Sequence, residues 1–365
     1  MSVESSSAHA VIPLGLEQTE RAPHEHASLM HFATRMAVLL GGRVDAQAQR
    51  GYFIPIETLT QEQAEAAGIS EERQLFGGVV PMPFVATKLI SHGLWPGGEG
   101  GAPQGWNPAL GEALGEAVLP GYSVFTANDL QAAVEALLAT GPVRCKLAHA
   151  RGGNDQKVVT DAASLQAWMQ ALRAEDIAAG VVVEIDLFPA DTFSVGCVRV
   201  PGHEIAYFGT QRNIRTPRGS TVYGGSQLRV VRGGLEALKS AQLPNGGEEA
   251  VRCVQRYEAA IEQAYPAMFA SRRNYDLVRG RDGEGRLRCG VLEQSWRFGG
   301  ASMAEMLAME ALAVQAPPAS VDAWTYETYD SEPVPERAVV YFQGEVAGAG
   351  FLTKYAMVMP HGSQP

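Results

Sequence analysis

Residues 288–302 read R-C-G-V-L-E-Q-S-W-R-F-G-G-A-S, and this stretch decides the fold. Cys289, Val291 and Leu292 fit a buried strand with Glu293 at its end, since short apolar runs bounded by turn residues pack as strands. Gly299 and Gly300 mark a turn. Ser302 opens an apolar-periodic run and Glu305 follows three residues later, a capping-box spacing that predicts a helix from Ser302. A carboxylate at a strand end, an arginine four residues on and a capped helix beyond make a natural place for an anion and its metal ion. An ordinary strand–turn–helix with a surface arginine fits the same residues read alone, so the upstream chain has to decide.

The bulk numbers narrow the classes. A chain of 365 residues is long for one domain, and roughly two or three sub-domains are expected. Hydrophobic residues at 46% and charged residues at 19% suit a soluble globular protein. A net charge of -11 argues against general nucleic-acid binding and against an anionic membrane surface. No run approaches a membrane span, and the first residues lack a basic region followed by an apolar core, so a cytoplasmic location is expected. Cys145, Cys197, Cys253 and Cys289 form no C-x-x-C pair; reduced thiols are expected and a structural zinc is not. His24 and His26, in P-H-E-H, read as a solvated helix start.

Periodicity orders the rest. A strand at 9–13, a helix at 24–40 with Leu29, Phe32 and Met36 at helical spacing, a strand at 52–56, a helix at 61–67 and a strand-bearing segment at 76–83 suggest a small parallel α/β domain. Residues 96–108 are dense in Gly and Pro and read as a mobile loop or connector. Helices are predicted over 107–116 and from 126 to 138, then a strand over 142–147 carrying Lys146 and a glycine-bearing turn. A helix over 161–172 precedes the apolar strand V-V-V-E-I-D-L at 181–187. A hairpin is expected around Pro201-Gly202, and a basic glycine-rich segment at 211–234 holds Arg212, Arg215, Arg218, Arg229 and Arg232. A helix over 248–269 leads to a second hairpin around Asp282-Gly283-Glu284-Gly285. The last fifty residues show one clear strand, 338–342, and no internal repeat is visible.

Taken in order, Lys88, Lys146 with Arg151-Gly152-Gly153-Asn154, Glu184, Asp191, Asp276 in N-Y-D-L-V and Glu293 in E-Q-S-W-R resemble the ATP-grasp superfamily over roughly residues 80–310. The likeness is to its carboxylate-amine ligase and biotin carboxylase-like members. More narrowly, Y-F-G-T-Q-R, V-Y-G-G-S and L-E-Q-S-W-R-F-G-G-A-S look like a bacterial family within it that carries no assigned reaction. The resemblance implies an α/β and α+β fold: an N-terminal α/β (pre-ATP-grasp) domain at 1–85, lobes at 86–183 and 184–312 clasping the nucleotide, and a C-terminal extension at 313–365.

It also implies ATP and Mg²⁺ as cofactors. Lys88 and Lys146 would meet phosphates, with Gly152 and Gly153 in a loop over them, since ammonium groups neutralise phosphate and Cβ-free residues let backbone N–H groups approach. Glu184, with main-chain contacts from Ile185 and Leu187, would read adenine, and Asp191, seven positions on, the ribose. Asp276 and Glu293 would hold Mg²⁺, with Ser295 standing where the family usually has asparagine. Arg297 would steady an acyl phosphate through its planar fork. The expected reaction activates a substrate carboxylate as an acyl phosphate for attack by an amine or other nucleophile. Bicarbonate activation, or a non-catalytic nucleotide-binding role, are the alternatives. Small, anionic carboxylate and amine substrates are expected, with no nucleic acid or membrane partner, and a homo-oligomer is compatible with the sequence.

Overall fold

Three short parallel strands open the chain in the computed structural model, which describes residues 10–15, 23–98, 100–148, 156–219, 221–329, 333–347 and 349–361. Ala10–Leu14 runs between Arg43–Val44 and Tyr52–Pro55. The helix Pro23–Leu39 lies beside them and buries Leu29, Phe32 and Met36, the stripe that its spacing predicts. Thr60 then caps the short helix Gln61–Ala66 through a complete capping box.

The next lobe is a four-stranded antiparallel sheet in the order Gly121–Val124, Val181–Ile185, Val143–Leu147, Gln156–Val159. Alternation sorts its two faces. Val143, Cys145, Val181 and Val183 pack with Leu130 and Val134 of the helix Ala127–Leu138 and with Leu165 of the helix Ala162–Ala171. Lys146, Val182 and Glu184 alternate with those residues, and Val182 joins the main core with Leu89 and Ile90. Residues 96–108 are better anchored than their composition suggests: Trp106 stacks on Phe84 at 5.4 Å, and Asn107 donates to the Ala264 carbonyl at 3.2 Å.

The second lobe is an eight-stranded antiparallel sheet ordered Leu287–Ser295, Arg272–Arg281, Ala190–Val200, His203–Arg215, Thr221–Arg232, Ser320–Thr328, Gly350–Pro360, Val339–Val346. The helix Gly247–Ala264 covers one face, with Val251, Val254, Tyr257 and Ile261 against Val195, Phe208 and Leu277. The helix Ser302–Leu312 covers the other, with Met303, Met306 and Leu307 against Val198, Ile205, Leu228 and Val230. A small parallel α/β unit is thus followed by two antiparallel sheets with their packed helices. No helix among the described residues is long and apolar enough to cross a membrane.

The basic segment is paired strand over residues 211–215 and 221–232, where Leu228 and Val230 reach the core. Two expectations are corrected. The last fifty residues supply three strands rather than one, extending the second lobe's sheet. Ser302 and Glu305 form no capping box: Ala301 is the N-cap, and Ser302 Oγ accepts instead from the Gly299 amide at 3.0 Å.

Glu305 is wholly buried and grips Arg272, whose Nη2 lies 2.7 Å from Oε1 and whose Nε lies 3.2 Å from both oxygens. Arg272 Nη1 donates to the carbonyls of Ser295 at 3.0 Å and Arg297 at 2.9 Å. Removing one member strands a buried charge, so Glu305→Gln should cost about 3–5 kcal/mol in urea unfolding. The double variant Arg272→Met/Glu305→Met should lose less than either single change does. A Glu305→Gln protein as stable as the parent would refute this.

Candidate active site

The hairpin of Arg272–Arg281 and Leu287–Ser295 sets Asp276 directly opposite Glu293, and Asn274 opposite Ser295. A bulge follows Asp276, where the register shifts; bulges re-aim side chains beside functional sites. Like charges opposite one another raise each other's cost of ionising. Burial first, and the Glu293 charge second, push the Asp276 carboxyl up to about 7. Neutral donors partly offset this: Gln211 Nε2 lies 2.7 Å from Asp276 Oδ1 and Asn274 Nδ2 lies 3.3 Å from it. Ser194 Oγ lies 2.8 Å from Asn274 Oδ1.

Lys88 reaches this pair from an upstream turn. Thr87 caps the short 3-10 turn Lys88–Ser91, and Gln294 pins the chain before it by donating to the carbonyls of Val85 at 3.1 Å and Thr87 at 2.7 Å. Gln294 is itself held by the Tyr257 hydroxyl at 2.9 Å. The buried Lys88 ammonium lies 2.8 Å from Glu293 Oε2. Arg297 lies on the same cleft with its Nε 3.6 Å from Glu57 Oε2. Ser295 also lines it, although its hydroxyl leans on Arg272 Nη1 at 3.4 Å. The cleft encloses about 710 Å³.

The remaining predicted residues sit elsewhere. Lys146 and Glu184 are buried and ion-paired with each other, with His92 Nε2 3.5 Å from the second carboxylate oxygen. Burial lowers His92 to about 4, and the Glu184 charge only partly opposes this. Ile185 donates its amide to the Pro120 carbonyl at 3.1 Å. Leu187 is buried just beyond, and Asp191 is exposed at the start of the strand Ala190–Val200, opposite Arg279. Gly152 and Gly153 lie outside the described residues.

The far end of the cleft was not foreseen. Lys354 and Glu327 pair at 2.8 Å on neighbouring C-terminal strands, and Tyr223, Tyr341 and His24 join them in lining it. Burial lowers His24 to about 4, helped by the Lys354 charge. A period-two reading would have grouped Arg272, Asn274 and Asp276 on one face; nothing local in the sequence points to Glu57, Glu327 or Lys354. Most of the five arginines are structural: Arg212 lies over the Tyr326 ring at 5.0 Å, Arg229 pairs with Asp322 at 3.5 Å, and Arg232 donates to the Leu312 carbonyl.

The two carboxylates fit a hard divalent cation such as Mg²⁺, which takes one or two carboxylates and fills its shell with water or phosphate oxygens. The raised Asp276 gives a linkage test. Below the unfolded carboxyl's value near 3.8 both states are protonated, and between there and about 7 only the unfolded state ionises. Stability from this group is therefore present at low pH and lost as pH rises through about 7. The melting temperature of Asp276→Asn minus that of the parent should rise across this window, and Mg²⁺ should shrink the difference. A pH-independent difference would refute the assignment.

No curated protein matches the chain in sequence. Among solved structures it is similar to D-alanyl-alanine synthetase A from Vibrio cholerae (TM-score 0.46, 13% identity, 82% of this chain and 93% of that one). It is similar also to phosphoribosylglycinamide synthetase from Anaerococcus prevotii (TM-score 0.47, 11% identity, 96% and 94%). A D-cycloserine synthetase matches at TM-score 0.42 and 16% identity over 82% and 97%. The family model described as protein of unknown function DUF3182 matches residues 14–356, and the chain belongs to that family.

Proposed function

We propose that the protein is an ATP- and Mg²⁺-dependent ligase that activates a carboxylate as an acyl phosphate and passes the acyl group to an amine or another nucleophile. The observation that carries this reading is the convergence of Lys88, the Asp276/Glu293 pair and Arg297 on one cleft, from segments far apart in the chain. Phosphoryl transfer asks for positioning and charge neutralisation more than for a side-chain nucleophile, and these are the groups present.

Asp276 and Glu293 would hold Mg²⁺, which would supply positive charge to offset that developing on a transferring phosphoryl group. Lys88, locked in place by Gln294, supplies a fixed positive charge beside that pair. Arg297 offers a planar donor fork to an acyl phosphate or a carboxylate. Lys146, Glu184, Leu187 and Asp191 are assigned to the nucleotide end, where the buried Lys146–Glu184 pair supports a rigid hinge. The hydroxyls and the Lys354–Glu327 pair at the far end suit small polar acceptors.

A thermal-shift titration with Mg²⁺ and ATP tests the nucleotide site, since a ligand at 100 times its Kd raises stability by about 2.7 kcal/mol. Glu293→Gln should remove the Mg²⁺-dependent part of the shift; an equal shift in the variant would sink the metal assignment. Once a carboxylate–amine pair that releases ADP is found, Arg297→Met should lower turnover by roughly 10²–10³-fold, the usual loss of one oxyanion donor. Unchanged turnover would remove Arg297 from the site. Nucleotide binding without ADP release from any pair would favour a non-catalytic role.

A further inference from the structure

Cys253 and Cys289 lie apart from the cleft described above, on two elements that pack together. Cys253 is on the helix Gly247–Ala264 and Cys289 on the strand Leu287–Ser295. Cys253 Sγ lies 3.7 Å from the Cys289 carbonyl oxygen, so the two residues touch across the helix–strand contact. Both line a second cavity of about 960 Å³, together with Arg252, Arg256 and Arg288. A small oxidant therefore has room beside two cysteines that meet where the helix packs on the strand.

We propose that Cys253 and Cys289 form a redox-modifiable dithiol that peroxide converts to a disulfide, joining the helix Gly247–Ala264 to the strand that carries Glu293. The roles within the pair are unequal. The neighbouring Cys289 side chain lowers the Cys253 thiol against the opposing effect of burial, with Arg256 and Arg252 helping. The Cys253 side chain in turn, then burial, raises Cys289. The thiolate is the reactive form, so Cys253 reacts first.

The chemistry balances without a further reagent. The Cys253 thiolate attacks one oxygen of hydrogen peroxide, the O–O bond breaks, and a sulfenic acid and hydroxide result; the hydroxide takes a proton to become water. The Cys289 sulfur then attacks Cys253 Sγ, the S–S bond forms as the S–O bond breaks, and the departing oxygen leaves as a second water with the thiol proton. Two thiols lose two electrons and one peroxide becomes two waters. Cys145 and Cys197 are internal controls, since burial pushes each thiol up to about 12.

The test treats the full chain with equimolar hydrogen peroxide and maps its peptides by mass spectrometry without reduction. The expected product is one cross-linked peptide pair joining Cys253 to Cys289, lighter by about 2 Da than the two free peptides. Dithiothreitol should reverse it, and Cys145 and Cys197 should stay unmodified. In Cys289→Ala, dimedone should trap the sulfenic acid on Cys253; in Cys253→Ala, Cys289 should not label. A peroxide-treated parent with Cys253 and Cys289 both free, separately over-oxidised, or bonded to other cysteines overturns the proposal, as does dimedone labelling that falls on Cys289 alone.

Discussion

A single buried ion pair, Arg272 with Glu305, organises the lobe that holds the carboxylate site. Burying two charges costs several kcal/mol each and is tolerated only when every remaining donor finds a partner. Here Arg272 spends Nε and Nη2 on Glu305, and Nη1 on the carbonyls of Ser295 and Arg297. Those two carbonyls fix the path of the chain between the strand end and the Gly299-Gly300 turn, and so fix where Arg297 leaves the backbone. The Tyr207 hydroxyl, 2.7 Å from both Glu305 Oε1 and Asn274 Oδ1, carries the same network toward Asp276. The strand that carries Glu293, the arginine and the covering helix are thus positioned from one place.

The cleft itself is built from matched charges. Lys88 faces Glu293, Arg297 faces Glu57 and Lys354 faces Glu327, so its cations are held in place before any ligand arrives. Asp276 differs, because its hydrogen-bond donors are neutral and its neighbour Glu293 repels it. On the proposed reading this imbalance is useful. A divalent cation is drawn to the one acid whose charge is poorly compensated, and a polyanion draws Lys88 and Arg297 from their acids in a low-dielectric setting where such exchanges matter most.

Parts of this were legible from residue order alone. The stripe of Leu29, Phe32 and Met36, the capped helix after Thr126 and the hairpin around Asp282-Gly283 all follow from local periodicity and turn chemistry, and all occur as read. Lys88, Asp276 and Glu293 were singled out by the resemblance of their surrounding residues to a known family, and the folded hairpin sets the two acids opposite each other. Where reading failed, a local rule was overridden from a distance. The Ser302/Glu305 spacing satisfies the capping-box pattern, yet Glu305 gains more from Arg272 across the sheet. Two of the three C-terminal strands went unseen because their alternation is weak and their pairing partners lie far from them in the chain, as with Ser320–Thr328 on Thr221–Arg232.

Sequence by itself determined the class of elements, the hairpin that carries the paired acids and the kinds of side chain available for phosphate and metal. Those features depend on interactions within a few residues, where spacing alone specifies geometry. Tertiary structure decided which charges meet. Glu293 is met by Lys88 and Arg297 by Glu57, both from far upstream in the chain, and Lys146 by Glu184 rather than by the cleft. Electrostatic partnership acts through space and burial, so residues distant in the chain become partners only once packing has excluded water between them.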